Sequence, residues 1–170
     1  TTLARILADR LTNCSYLSLD GFHLDNPILI GKGLRNRKGS PETFDVNGFV
    51  YLLQRLKKKE ETYVPTFDRD TEQTINCAYP ISDHDDLVIV EGNYLLLDEP
   101  IWRNLSDYWD LTAFVELDLG LVKRRLTKRW IGQGFSEQEA EAWIATNDLP
   151  NAHRVMRNRI PEDVTLYVGG

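Results

Sequence analysis

Cysteine is scarce in this chain. Two in 170 residues, Cys14 and Cys77, make no CxxC pair, so there is neither a disulfide framework nor a zinc-type spacing. They read as core or surface thiols of a reducing compartment. No apolar run reaches the roughly 18 residues of a membrane-spanning helix, and no charged-then-apolar leader opens the chain, so no signal peptide is expected. Excess positive charge is missing too. Twenty Lys and Arg against 26 Asp and Glu give a net charge of -6 and a pI near 5.1, which argues against a general nucleic-acid binder while leaving local basic patches able to hold a small anion. Internal repeats and low-complexity linkers are also absent. The expected partner is a small molecule, with no nucleic acid and no membrane; a cytoplasmic location is the default, and homo-oligomerisation is left open.

What is present suits one well-buried domain: 42% of the residues are hydrophobic and 27% charged. Leu3, Ile6, Leu7 and Leu11 recur at helical spacing, so a helix is already under way at residue one or two. "YLSL" at 16–19 reads as a short buried strand, followed by a polar loop over 23–40 rich in Gly, Lys and Arg. Residues 46–60 place Phe49, Leu52, Leu53 and Leu56 on one helical face and end in lysines, as a helix dipole prefers. "TYVPTFD" is a short extended piece. Residues 86–97 contain the unbroken run Leu87, Val88, Ile89, Val90, and 111–118 a second such strand; unbroken apolar strands belong to parallel sheets covered on both faces. A basic helix over 119–134, an acidic one over 136–148 and a last strand over 164–168 complete an α/β fold with a mostly parallel sheet.

In such sheets ligands bind beyond the carboxyl ends of the strands, so the informative residues stand just after the apolar runs. Asp20 follows "YLSL" and Glu91 follows "LVIV", each with a glycine behind it. A carboxylate there can hold magnesium or accept a proton from a substrate hydroxyl; in the simpler reading each only starts a turn. Basic residues cluster twice. Lys32, Arg35, Arg37 and Lys38 share one loop; Lys123, Arg124, Arg125, Lys128 and Arg129 share one helix. Arg125 and Arg129, four apart, are placed to reach one polyphosphate, unless the run is an ordinary solvated face. "GQG" after that helix supplies hinge-capable glycines for a lid over 119–134. At the start of the first helix, Thr1 falls where the magnesium-binding Ser or Thr of a P-loop would sit, with Thr2 beside it on the nucleotide side, and the strand, glycines and lysine of that loop are expected upstream. The competing reading of Thr-Thr is a plain N-cap.

Together these segments resemble the P-loop kinases that include uridine kinase, phosphoribulokinase and the bacterial type of pantothenate kinase. The similarity runs through "LDGFH", "GLRNRKGSPETFDVNGFVYLLQRLK", "YVPTFDR", "VIVEGNYLLL", "RRLTKRW" and "NDLPNAHRV". It implies a P-loop NTPase-like three-layer fold, ATP with Mg2+, and transfer of a phosphoryl group to the hydroxyl of a small molecule. By resemblance Asp20 is the base, Thr1 and Glu91 flank magnesium, and Arg125 and Arg129 close over the nucleotide's phosphates. His23, Arg37, Lys38, Phe67, Asp68, Arg69 and Asn93 line the acceptor side. Asp68 in "PTFDR" is nearer to uridine kinase and "RKGSPETFD" nearer to pantothenate kinase, so nucleoside-, pantothenate- and sugar-like acceptors all stay open. The alternative is a nucleotide-binding regulatory protein that keeps the fold without turnover.

Overall fold

In the computed structural model, which describes residues 2–168, the leucine-rich opening segment forms α1 (Thr2–Arg10). It packs on two strands, β1 (Cys14–Ser18) and β4 (Leu87–Glu91), through buried Ala4 and Ala8, whose small side chains one turn apart let the helix lie close. β1 and β4 form a parallel ladder with Ser18 opposite Glu91. A second parallel ladder joins β5 (Ala113–Leu117) to β6 (Val164–Val168). Between β1 and β4 in sequence, β2 (Thr62–Asp68) and β3 (Gln73–Ile81) make an antiparallel hairpin with a register shift between Val64 and Thr66.

The expected α/β class therefore holds, with its parallel strands arranged as two pairs. No ladder joins β4 to β5 among the described residues. The two pairs are stitched together beyond their strands: Leu97 bridges Arg159, Ile160 N donates to Leu96 O at 2.8 Å, and Trp109 Nε1 donates to Leu95 O at 3.3 Å.

Two segments differ from the sequence reading. The expected loop over 23–40 contains a short helix, α2 (Asn26–Gly31), started by the Asp25 carboxylate on Asn26 N and by Pro27 in the first turn. The acidic helix begins as expected, α5 (Glu137–Trp143), with a Ser136/Glu139 capping box. It then widens into a π-helical turn, Ile144–Asp148, and continues as α6 (Leu149–Arg157). The lysine-ended helix is α3 (Val46–Lys57), and the basic one is α4 (Leu119–Gly132), closed by Gly134 at φ +91°.

One apolar cluster ties these elements together. Leu17 and Leu19 from β1 and its turn meet Phe49 and Leu53 of α3, Val64 of β2, and Leu97, Trp102 and Leu105 after β4. Two glycines bring the chain close beside it. A Cβ on Gly21 would lie 2.6 Å from the Pro65 carbonyl oxygen, and one on Gly92 would lie 2.5 Å from Leu19 Cβ. Gly21 is thus required by packing against the hairpin. No described helix is long and apolar enough to cross a membrane.

Candidate active site

The site grows from the adjoining ends of β1 and β4. Tyr16 and Ser18, two apart and so on one face of β1, both donate to Glu91 Oε1 across the ladder, each at 2.6 Å. Burial and the neighbouring Glu91 push the Tyr16 phenol up from its usual pKa. Ser18 Oγ also accepts from Asp20 N at 3.2 Å, capping the 3-10 turn Leu19–Phe22 that carries Asp20 away from the strand. One serine thereby links the two residues whose carboxylates the sequence placed in a common site. Asp20 is half-buried, and its Oδ2 accepts from Arg69 Nη2 at 2.6 Å. Arg69 stands where the β2–β3 hairpin turns.

His23 closes the same turn. Its Nδ1 lies 2.8 Å from the Asp20 carbonyl oxygen, which can only accept, so Nδ1 carries the proton. The imidazole is flanked by Phe44 at 4.1 Å and Phe67 at 4.7 Å between ring centroids. Burial holds its pKa below the usual value, against the opposing pull of the Asp20 carbonyl and carboxylate. Lys38, only 9% exposed, sits over Phe67 with Nζ 5.2 Å from the ring centre. It donates to Asn26 Oδ1 at 2.8 Å and to the Glu72 carbonyl at 3.1 Å.

Several expected site residues have structural partners. Arg37 donates to Thr146 O at 2.9 Å and to Asn151 Oδ1 at 3.4 Å, strapping its loop to the π-helical turn. Asp68 accepts from Asp70 N and Thr71 Oγ1, both at 2.9 Å, shaping the hairpin turn; the backbone N–H of Asp70 is the main cause of its lowered pKa. Asn93, two residues beyond Glu91, is exposed with no hydrogen bond among the described residues. Thr2 is exposed at the start of α1, and Thr1 lies outside the described residues.

The two helix arginines part company. Arg129 lies against the Trp130 ring at 5.2 Å. It is surface-exposed, yet enough protein crowds its guanidinium that desolvation lowers its pKa; Arg69 adds to the lowering, while Asp148 and Asp20 oppose it. Arg129 thus shares an electrostatic neighbourhood with Asp20. Arg125 is exposed and makes no hydrogen bond or ion pair among the described residues.

Three contributors escaped the sequence reading. Glu72 gathers Arg35 at 2.9 Å and Lys38 at 3.7 Å. Asn147, 2% exposed, donates to the Lys38 carbonyl at 2.9 Å. Asp148 accepts from Trp130 Nε1 at 2.7 Å, its pKa raised by burial. The available signal was the "NDLPN" run itself, polar residues at the end of an amphipathic helix.

No group of three or more His, Cys, Asp or Glu side chains is gathered for a metal among the described residues. Magnesium at kinase sites takes one or two carboxylates and fills its shell with phosphate oxygens and water. A strand-end carboxylate such as Glu91, oriented by two hydroxyls, fits that donor set.

No protein-family profile matches the chain. It is 38% identical over 142 residues to the uncharacterized protein YggC of Escherichia coli K12, covering 84% of this chain and 59% of that protein. It is 31% identical over 162 residues to a candidate uridine kinase of Schizosaccharomyces pombe, covering 88% and 67%. The crystal structure of a candidate fructose transport system kinase from a Silicibacter species superimposes with a TM-score of 0.92 at 39% identity, covering 96% of this chain and 82% of that one. The chain belongs to the P-loop kinase family to which these uridine kinase-like and pantothenate kinase-like proteins belong. It spans 59% of the length of the E. coli relative.

Proposed function

We propose that this chain carries the acceptor-activating part of an ATP-dependent kinase, which moves the γ-phosphoryl group of ATP to a hydroxyl of a small molecule. The observation that carries the reading is the joining of Asp20 and Glu91 through Ser18 at the ends of two adjacent parallel strands, with Arg69 bonded to the Asp20 carboxylate. Phosphoryl transfer asks for positioning and charge stabilisation more than covalent help.

Asp20 accepts the proton of the acceptor hydroxyl. Arg69 engages Oδ2, which leaves Oδ1 to face the hydroxyl and fixes the plane of the carboxylate. Glu91 is the residue that would hold Mg2+, which when bound neutralises charge on the transferred group. Arg129, on α4, supplies positive charge where negative charge develops on the phosphoryl oxygens. The test is ATP consumption by the protein against a panel of hydroxyl acceptors that includes uridine, pantothenate, fructose and ribulose 5-phosphate. Acceptor-dependent ADP formation is the expected result; nucleotide binding without turnover on any of them would favour a regulatory role.

A further inference from the structure

Around Asp20 the aromatic surface is already covered. Phe44 and Phe67 flank the His23 ring, Phe67 also carries the Lys38 ammonium, and Phe44 packs edge-on against Tyr94 at 5.7 Å and Trp102 at 6.0 Å. A nucleobase is held by stacking on an open ring. These rings are turned to one another.

The cations divide differently. Arg35, Arg37 and Lys38 are engaged by Glu72, by the Thr146 carbonyl and Asn151, and by Asn26 with Glu72. Arg69 is bonded through one of its three nitrogens, and Arg129 makes no hydrogen bond or ion pair among the described residues. Of the two carboxylates flanking Arg69 in sequence, Asp68 has both oxygens on the hairpin turn and Asp70 is exposed. Arg69 therefore keeps unused donors beside the proposed base, to which it is bonded through Nη2, and a guanidinium with spare donors receives an anion with charge-assisted hydrogen bonds.

We propose that the acceptor is a compact anionic alcohol, bearing a phosphate or carboxylate held by Arg69, and not a nucleoside. The inference rests on the kinase reading for the word acceptor, but the binding it asserts does not need ATP. Arg129 is left to the phosphoryl donor. The acceptor's anion meets Arg69, and its hydroxyl meets the free side of the Asp20 carboxylate.

Matched pairs isolate the charge: fructose 1-phosphate against fructose, and pantothenate against its neutral alcohol panthenol, with uridine and inorganic phosphate as further probes. Each is titrated calorimetrically into the nucleotide-free protein, into Arg69→Gln, and into Arg55→Gln, which removes the same charge at the far end of α3. At least one anionic member binds more tightly than its neutral partner, than uridine and than inorganic phosphate. Arg69→Gln weakens it by about tenfold or more, as loss of a charge-assisted hydrogen bond predicts, and Arg55→Gln leaves it unchanged. Uridine or a neutral partner binding as tightly overturns the proposal. So does an absence of anion binding, equal binding by Arg69→Gln, or inorganic phosphate binding as well as any anionic alcohol. If the anionic alcohol binds as expected and Mg·ATP never phosphorylates it, the kinase reading fails while the binding class stands.

Discussion

Arg69 on the β2–β3 hairpin and Asp20 after β1, 49 positions apart, meet through a single 2.6 Å contact between Nη2 and Oδ2. The hairpin, which the parallel-sheet pattern did not foreshadow, thereby delivers a cation to the end of the parallel ladder. Its approach depends on Gly21, because the Pro65 carbonyl lies where a side chain at residue 21 would begin.

Replacing Asp20 with Asn keeps the shape of the side chain, and the main-chain contacts of the turn, Asp20 N to Ser18 and the Asp20 carbonyl to His23, do not involve the carboxylate. It removes the proton acceptor. Positioned acid-base groups contribute about 10²–10⁴-fold to rate, so kcat of Asp20→Asn falls by that order. The lost ion pair is partly solvent-exposed on the Arg69 side and costs about 1 kcal/mol or less. Steady-state kinetics and a melting curve on the same variant separate the roles: full turnover with a lowered melting temperature would make Asp20 a structural residue.

Gly21→Ala and Gly31→Ala form a contrast. The first sets a Cβ 2.6 Å from a buried backbone oxygen, while the second, at the end of α2, meets nothing within 4 Å. Overpacking costs about 1–3 kcal/mol, and in a chain of this size each kcal/mol shifts the melting temperature by roughly 2–4 °C. Gly21→Ala is expected to melt lower by that amount and to loosen Arg69 from Asp20. Gly31→Ala leaves stability unchanged or raises it by up to about 1 kcal/mol. Thermal denaturation of the pair, with equal melting temperatures, would remove the packing explanation for Gly21.

What could be read in the sequence followed from strong periodicity. The apolar runs of β4, β5 and β6, the face of α3 and the basic helix α4 appear in the structure close to where the patterns place them, and Asp20 and Glu91 were locatable because strands end where their apolar runs end. β3 was invisible for the opposite reason. Its nine residues are mostly exposed, and Cys77 within it takes φ +50°, so neither alternation nor an apolar run marks it. The two-pair arrangement of the parallel strands depends on long-range pairing, which local patterns do not encode. Arg37 and Lys38 were identified as basic, but nothing in the sequence shows that Asn147, Asn151 and Glu72 engage them; those partners lie between 34 and 114 positions away.

Asn147 provides the clearest test of that strap. Its amide nitrogen donates to the Lys38 carbonyl, and its Oδ1 accepts from Asn151 Nδ2 at 3.4 Å, all within a buried patch. Asn147→Ala leaves the Lys38 carbonyl without this donor, at a cost of about 1–3 kcal/mol. The loss also frees the loop that holds Lys38 over Phe67. A lower melting temperature is expected together with faster amide exchange over 35–40. Unchanged exchange there would mean that Arg37 and the Lys38 ammonium secure the loop without Asn147.

His23 sets a pH dependence of known sign. Burial between Phe44 and Phe67 disfavours the imidazolium, with Lys38 and Arg69 adding to the lowering and Asp20 opposing it. The folded pKa is therefore below the unfolded value near 6.5. When the folded value is the lower one, the unfolded chain binds the proton first, so stability is intact above about pH 6.5 and falls as the pH drops through that value toward the folded pKa. His23→Phe keeps the ring stack and removes the titration, at the cost of the bond to the Asp20 carbonyl. Its melting temperature at pH 7 is lower by an amount consistent with one lost hydrogen bond, about 0.5–1.5 kcal/mol, but its decline between pH 7 and pH 5 is shallower than that of the unaltered protein. Melting curves at half-unit steps across this interval check the slope. Parallel declines in the two proteins would show that another group carries the acid sensitivity.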